Sequence, residues 1–372
     1  MRSPITERYL PKKLAGKELD ALLARGWYRL GKDVFTCQFL FLEENLYSPI
    51  WIRLPLKKYA FRKRMRKIMS RNSRKFSFTI QPQNLTEEKE ILYQKYRASF
   101  HSPIAVTLVS NLQDAAKTTV FNTQEICIYH EEKLVACSFF DIGEKSSTSI
   151  LGIYDPDYQQ DSLGFYSMLL EIEYSMNQGF DFYYPGYIVP QYDKFDYKLR
   201  IGKPEDVEFY DLRTATWQSQ IIYDQNKTLT VETGQKLSQL SKYLLQNGIS
   251  SDVLFYPCYE PYLVKRHSLQ DMKSPLFLSC FSDLFLQPNY LIFYDYFTEK
   301  FDFYDCTNAV AKNNNAENND LPSENATDML DFMRNQRLIF ETSNVVEIVT
   351  VLKKIQLKLM AIEYSKTDVD KV

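Results

Sequence analysis

The chain has 372 residues, 45% of them hydrophobic and 25% charged, with 45 basic and 47 acidic side chains and a formal net charge of −2. These are the proportions of an ordinary globular protein, long enough for two domains. Glycine is scarce at 11, His numbers three, and the six cysteines (Cys37, Cys127, Cys137, Cys258, Cys280 and Cys306) form no Cys-x-x-Cys pair. That argues against glycine-turn nucleotide folds, a histidine metal cluster and a locally encoded zinc or dithiol motif.

The opening MRSPITERYLPKKL has no apolar core of signal-peptide type. No run approaches the roughly 18 apolar residues of a membrane span, and unpaired cysteines fit a reducing compartment. A cytoplasmic protein with no membrane partner is expected. GKELDALLARGWYRLG then reads as a short helix through Leu19, Leu22 and Leu23, closed by Gly26. DVFTCQFLFL and SPIWIRLPL read as strands. From Lys57 to Lys75 the chain places ten Lys or Arg in nineteen residues with no acid, so the remainder carries 35 basic against 47 acidic side chains. A basic block on an acidic body is the footprint of a polyanion binder. Tyr59, Phe61, Met65, Ile68 and Met69 interleave the charges, as in a docked helix rather than a solvated tail.

FSFTIQPQ predicts a half-buried strand through Phe76, Phe78 and Ile80. LTEEKEILYQKYRASFH predicts a helix capped by Thr86. EICIYHEEKLVACSFFDIG predicts a hairpin with HEEK at its turn, and SSTSILGIYDPD a further strand. SLGFYSMLLEIEYSMNQG predicts a helix burying Leu163, Tyr166, Leu169, Leu170 and Ile172. FDFYYPGYI predicts a strand ending at Pro185-Gly186. Then come a helix in TGQKLSQLSKYLLQNG, a hairpin in YLIFYDYFTEKFDFYDC, a polar Asn-rich insert read as disordered, and a last helix from Ser343 to Leu359.

The order helix, hairpin, strand, helix, strand from Thr86 to Ile188 is that of the N-acetyltransferase-like (GNAT) architecture. The expected fold is therefore α+β, a GNAT-like mixed sheet flanked by helices with an extra C-terminal α/β region. The expected division is 1–82 with the basic helix, 83–217 as the catalytic core, and 218–372 with the disordered insert near 307–328. In that architecture the ligand sits at the N-terminus of the central helix, whose free N–H groups suit an anion or developing oxyanion. Ser162 is expected to cap this helix. Ser162-Leu163-Gly164 also reads as an ordinary cap with a small packing residue.

Several segments, in order, resemble the arginyl-tRNA–protein transferases and the related bacterial leucyltransferases that act on N-terminal Asp and Glu. LLARGWYRLGKDVFTC is similar to the family's Leu-x-x-Gly-Trp-Arg-x-x-Gly, KRMRKIMSRN to its Arg-rich Arg-Asn segment, and ILYQKYRASFH to its Tyr-x-x-Tyr helix. YDPD, SLGFYSMLLEIE, YPGYIV and KFDYK resemble its Tyr-Asp-Pro-Asp, Ser-Leu-Gly-x-Tyr-Ser, Leu-Gly-Tyr-x-Ile and Lys-Met-x-Tyr-Lys. The resemblance spans residues 14 to 217. It implies an aminoacyltransferase that moves arginine or a similar residue from charged tRNA to acidic protein N-termini, marking them for degradation. It points to Tyr154, Asp155, Ser162, Leu163, Gly164 and Tyr187 as catalytic and to Lys194, Tyr197 and Lys198 as acceptor-binding. Arg62, Lys63, Arg64, Arg66, Lys67 and Arg71 would hold tRNA. The family's N-terminal cysteines are linked to an iron–sulfur cluster. Here only Cys37 stands at that place, so no cluster, metal or other cofactor is expected.

Such a reaction starts from an activated ester and needs no His or Cys nucleophile. Proximity, a free amine and oxyanion stabilisation suffice. The alternatives are a GNAT acyltransferase using acetyl-coenzyme A, whose glycine-rich pyrophosphate loop QQDSLGFYS does not supply, and a non-catalytic module that binds RNA or protein N-termini.

Overall fold

The largely apolar run IWIRLPL forms an inner strand of the sheet on which the N-terminal part of the chain is assembled. The computed structural model describes residues 6–99, 105–113, 119–220, 228–255, 274–281, 290–306 and 337–369. The chain divides into two compact units, Met1–Gln38 with Pro49–Gln225, and Phe39–Ser48 with Asn226–Val372.

The first unit contains β1 (Thr6–Tyr9), α1 (Gly16–Leu23), β2 (Tyr28–Leu30) and β3 (Asp33–Cys37), whose strands form a small antiparallel sheet in the order β1-β3-β2. The second unit takes up the hairpin β4 (Leu40–Leu42) and β5 (Asn45–Tyr47). The first unit then continues with β6 (Ile50–Pro55), α2 (Lys63–Asn72), β7 (Ser77–Pro82), α3 (Glu87–Ala98), α4 (Leu108–Leu112), β8 (Thr123–His130), β9 (Lys133–Ile142), β10 (Ser146–Tyr154), α5 (Leu163–Asn177), β11 (Phe182–Ile188), β12 (Glu208–Asp211) and β13 (Thr216–Ser219).

An eight-stranded sheet runs β13-β12-β6-β11-β10-β9-β8-β7. Every pairing in it is antiparallel except β10 with β11, which the crossover helix α5 joins. This is the mixed, helix-flanked α+β sheet of the GNAT arrangement. The division expected at residue 82 falls inside it, because β6 and β7 belong to the same sheet as β8 to β11. On one face, α5 and α2 pack Leu169, Ile172 and Met65 against Ile52, Leu54 and Phe209. On the other, Leu92 and Tyr93 of α3 cover Cys127, Cys137 and Phe139. Two ion pairs are shut inside this unit. Arg29 meets Asp141 at 2.8 Å and Lys89 meets Glu125 at 2.5 Å, with both carboxylates fully buried.

Several expectations shift. The strand β7 lies at the sheet edge, so Phe78 is 40% exposed rather than half-buried. Thr86 stands at the N-cap of α3, but its side chain accepts no capping bond. The basic helix begins at Lys63, six residues into the cationic run. The strand β11 does not end at Pro185-Gly186. It shifts register there and continues to Ile188.

The second unit is an antiparallel sheet, β14 (Ser251–Phe255), β15 (Leu276–Cys280), β16 (Tyr290–Asp295), β17 (Lys300–Asp305) and β18 (Arg337–Thr342), paired in that order. Helices α6 (Leu229–Gln246) and α7 (Val345–Val369) join its core through Leu237, Leu240, Ile348 and Leu352. The Asn-rich insert near 307–328 and Cys258 lie outside the described residues.

Candidate functional site

The parallel pair that α5 connects separates almost at once. β10 and β11 are bonded only over Ser146–Thr148 and Phe182–Tyr184. Beyond that point β10 follows β9 to Tyr154 and β11 follows β6 to Ile188, each after a register shift. Both strands run toward the end where α5 begins, so the gap opens beside its first turn. Ser162 does occupy the N-cap position. It is in the left-handed region at φ 55°, however, and its side chain caps nothing, which corrects the expected role. Its carbonyl instead accepts from Phe165 and Tyr166. The helix start is left with the N–H groups of Leu163 and Gly164, of the kind that have no intrahelical partner. Gly164 lies under Tyr154, where an added Cβ would sit 3.4 Å from the ring.

The interior of the gap is built from phenols and one carboxyl. Tyr154 packs edge-on against Tyr96 of α3, with centroids 5.3 Å apart. Glu171, two turns into α5 and buried, accepts a 2.7 Å bond from the Tyr183 hydroxyl. Burial pushes its carboxyl up to about 7, against the opposing influence of the Tyr183 bond and of the nearby Ser138 and Ser149 hydroxyls. Tyr197 is partly exposed, yet its hydroxyl is desolvated and pushed up to about 12, with Glu171 and Tyr154 adding to the shift. Tyr96 and Tyr183 are likewise raised, first by burial and then by the phenols of Tyr197 and Tyr154 for Tyr96 and by Glu171 for Tyr183. Phenols of this kind stay protonated at neutral pH and act as hydrogen-bond donors.

Lys198 stands at the far side of the gap, on a 3-10 segment, Asp193–Ile201. Its Nζ donates to the Tyr187 carbonyl at 3.0 Å and lies 5.0 Å and 5.2 Å from the Tyr187 and Phe195 ring centres. Desolvation alone lowers it from the usual lysine range to about 7. No carboxylate pairs with it among the described residues. The backbone makes room for it at Gly186. With φ at +98°, this residue leaves a gap that a Cβ would close to 3.1 Å from Nζ.

The remaining expected residues separate. Tyr187 supplies its carbonyl to Lys198 and stacks edge-on against Trp51. Lys194 is exposed at the rim, 5.1 Å from the Tyr192 ring centre. Leu163 is fully buried in the core, so only its backbone faces the site. Asp155 is buried under Lys133 at 2.9 Å and Lys95 at 2.5 Å, and it also accepts from the Asp157 amide. Burial works against its charge, but these partners outweigh it and hold the carboxyl at about 2. That describes an anchor joining α3, β9 and the end of β10, not an acid or base. Glu171, Tyr96 and Tyr183 were not singled out in the sequence. The signal for Glu171 was available: one acid inside the apolar run LLEI.

Helix α2 turns Met65 inward against Phe165 and Met168, while Lys63, Arg66, Lys67, Ser70, Arg71 and Arg74 line an open groove. Arg62 and Arg64 face a separate recess. None of the six expected tRNA-binding cations forms an ion pair among the described residues. Among the described residues one cluster has metal-ligand chemistry: the ligand atoms of Glu125, Cys127 and Cys137 lie within 4.8 Å of one another. Lys89 already holds the Glu125 carboxylate, so a cation there would have to displace an ammonium. Cys37 is buried and its thiol is raised by desolvation, which disfavours a thiolate ligand.

Residues 88–207 match the family model described as "Arginine-tRNA-protein transferase, C terminus". The chain is 28% identical over 193 residues to an aspartate/glutamate leucyltransferase of Leptospira interrogans, covering 50% of this chain and 73% of the relative. It is 28% identical over 215 residues to that of Campylobacter jejuni, covering 53% and 82%. Among solved structures it is similar to the ribosomal-protein-S18-alanine N-acetyltransferase of Escherichia coli, with 16% identity, a TM-score of 0.22, and coverage of 28% of this chain and 62% of that one. Among the described residues no helix is long and apolar enough to cross a membrane.

Proposed function

We propose that this relative of the arginyl-tRNA–protein transferases and aspartate/glutamate leucyltransferases transfers an amino acid, arginine or a similar residue, from charged tRNA to the α-amine of proteins beginning with Asp or Glu. The observation that carries the acceptor class is Lys198. A desolvated ammonium with no counter-ion destabilises its own site, and an incoming carboxylate relieves that cost. An acceptor whose first side chain is Asp or Glu brings that carboxylate, its carboxyl carbon three bonds from the α-amine in Asp and four in Glu. Lys194 at the rim adds positive charge on the approach.

The amine attacks the ester carbonyl, forming the C–N bond. The tetrahedral oxyanion is met by donors in the gap: the first-turn amides of Leu163 and Gly164 and the hydroxyls of Tyr154 and Tyr197. When the C–O bond breaks, the ribose oxygen leaves and takes up the proton that the amine gives up. The amine has a pKa of about 7.7–8.0, so a substantial fraction is free at neutral pH and a strong base is unnecessary. Glu171, pushed up to about 7, lies beside Tyr183 and Tyr197 and is poised to take and return that proton through a phenol. The tRNA body lies along the α2 groove, whose cations exchange condensed counter-ions for phosphates.

The test is transfer itself. Purified protein, arginyl- or leucyl-tRNA and peptides starting with Asp, Glu or Ala are incubated and the peptides weighed by mass spectrometry. A mass increase of one amino acid on the acidic peptides alone supports the reading; acetylation from acetyl-coenzyme A, or no transfer, overturns it.

A further inference from the structure

Positive charge also gathers away from the open groove. Arg62 and Arg64 at the start of α2, Arg200 on the 3-10 segment and Phe165 in the first turn of α5 converge with Met65 on a recess of about 80 Å³. Met65 and Phe165 are buried and form its floor. The Arg200 guanidinium lies 4.5 Å from the Phe165 ring centre, and Arg62 is held by a 3.2 Å bond to the Gly202 carbonyl. Burial and then the charge of Arg64 work against the protonation of Arg200. Two acids nearby are engaged by Lys203: Glu205 pairs with its ammonium, while also feeling the Arg62 charge, and Asp206 accepts from its amide. Two segments far apart in sequence, the start of α2 and the 3-10 segment, thus hold three guanidiniums around Phe165, and none of the three forms an ion pair among the described residues, an arrangement that repels itself unless an anion binds.

The dimensions and chemistry select the anion. The recess has space for a phosphate-sized group, and guanidinium forks match phosphate oxygens in pairs. It lies where α2 and the first turn of α5 meet, between the groove assigned to the tRNA body and the turn assigned to the ester. We infer that this recess clamps one backbone phosphate of the single-stranded 3′ end of the charged nucleic acid, fixing how far that end reaches into the gap. The inference rests on the reading of the chain as a tRNA-dependent transferase.

The experiment is fluorescence anisotropy with a labelled single-stranded RNA tetramer, ACCA, and in parallel with whole tRNA, over a salt series. The proteins are wild type, R64Q/R200Q, R200K and K67Q/R71Q, each checked for an unchanged Tm. R64Q/R200Q should weaken tetramer binding about tenfold or more and flatten its salt slope by about 0.7, the value for one phosphate of a single strand. R200K, which keeps the charge but loses the fork, should fall between. K67Q/R71Q should weaken whole tRNA and leave the tetramer alone. Tetramer affinity unchanged in a folded R64Q/R200Q protein overturns the site. So does displacement of the tetramer by inorganic phosphate at equal concentration, which would make this a free-phosphate site. A wild type that transfers amino acids while its tetramer binding ignores R64Q/R200Q overturns the clamp alone. A wild type that binds no charged tRNA overturns the functional reading with it.

Discussion

Replacing Lys198 with Met should give a more stable protein and a poorer catalyst. The free ammonium ordinarily titrates near 10.4, and in the folded chain desolvation brings it to about 7. Between those values the unfolded chain holds a proton that the folded chain has lost, so wild-type stability rises with pH across that window, and the full burden is felt below pH 7. Taken whole, the difference amounts to about 4–5 kcal/mol. The side chain still meets some solvent, which roughly halves the figure, and Met forfeits the 3.0 Å bond to the Tyr187 carbonyl, at a cost of about 1 kcal/mol. A net gain of about 1–2 kcal/mol remains at pH 6, or about 2–8 °C in Tm. By pH 9.5 the burden has shrunk to the size of the lost hydrogen bond and the gain should vanish. Thermal unfolding of both proteins at pH 6 and pH 9.5 measures this directly. The same variant should raise the KM for an Asp-peptide about tenfold to a hundredfold, the worth of a charged hydrogen bond. A Tm difference that is zero or negative at pH 6, or equal at both pH values, would refute the view of Lys198 as an uncompensated, desolvated cation.

Gly186→Ala should reproduce the loss of acidic-peptide transfer without touching tRNA affinity, since a Cβ at φ +98° crowds Lys198 Nζ and costs about 1–3 kcal/mol in strain; kinetics beside anisotropy check it. Arg29→Ala strands the fully buried Asp141 and should cost about 3–5 kcal/mol, seen as a Tm drop on the order of 10 °C. Asp155 has a lowered folded pKa, so its contribution is complete above the usual aspartate value and fades as pH falls through about 2; Asp155→Asn should therefore narrow the difference between neutral and acid unfolding midpoints. Neutralising Lys67 and Arg71 together should reduce the salt slope of tRNA binding by about two phosphate contacts; an unchanged slope assigns these cations to ordinary solvated surface.

The local patterns were legible where one face of an element is buried. The IWIRLPL strand, the hairpin turning at Glu131-Glu132 and the α5 helix all stand where periodicity puts them. The site was harder to read because its parts are defined by contacts between distant segments. A cap residue such as Ser162 looks the same in sequence whether its hydroxyl bonds the helix or its backbone turns left-handed, and the outcome depends on the preceding 3-10 turn, Pro156–Asp161. Asp155 reads as a reactive acid until Lys95 and Lys133 are seen to enclose it. Lys198 is an acceptor-binding residue in the sequence only through the resemblance, because its desolvation beside Tyr187 and Phe195 is a property of the fold. The extent of β11 beyond Pro185-Gly186 depended on its pairing with β6, which propensity does not encode.

The most direct measurement is amino-acid transfer to a matched set of peptides differing only in the first residue, assayed by mass spectrometry with wild type and Lys198→Met. One added residue on Asp- and Glu-peptides, little on Ala-peptide, and collapse of that preference in the variant is the predicted result. Transfer indifferent to the first residue, a preference that survives in Lys198→Met, or no transfer from any charged tRNA would contradict it.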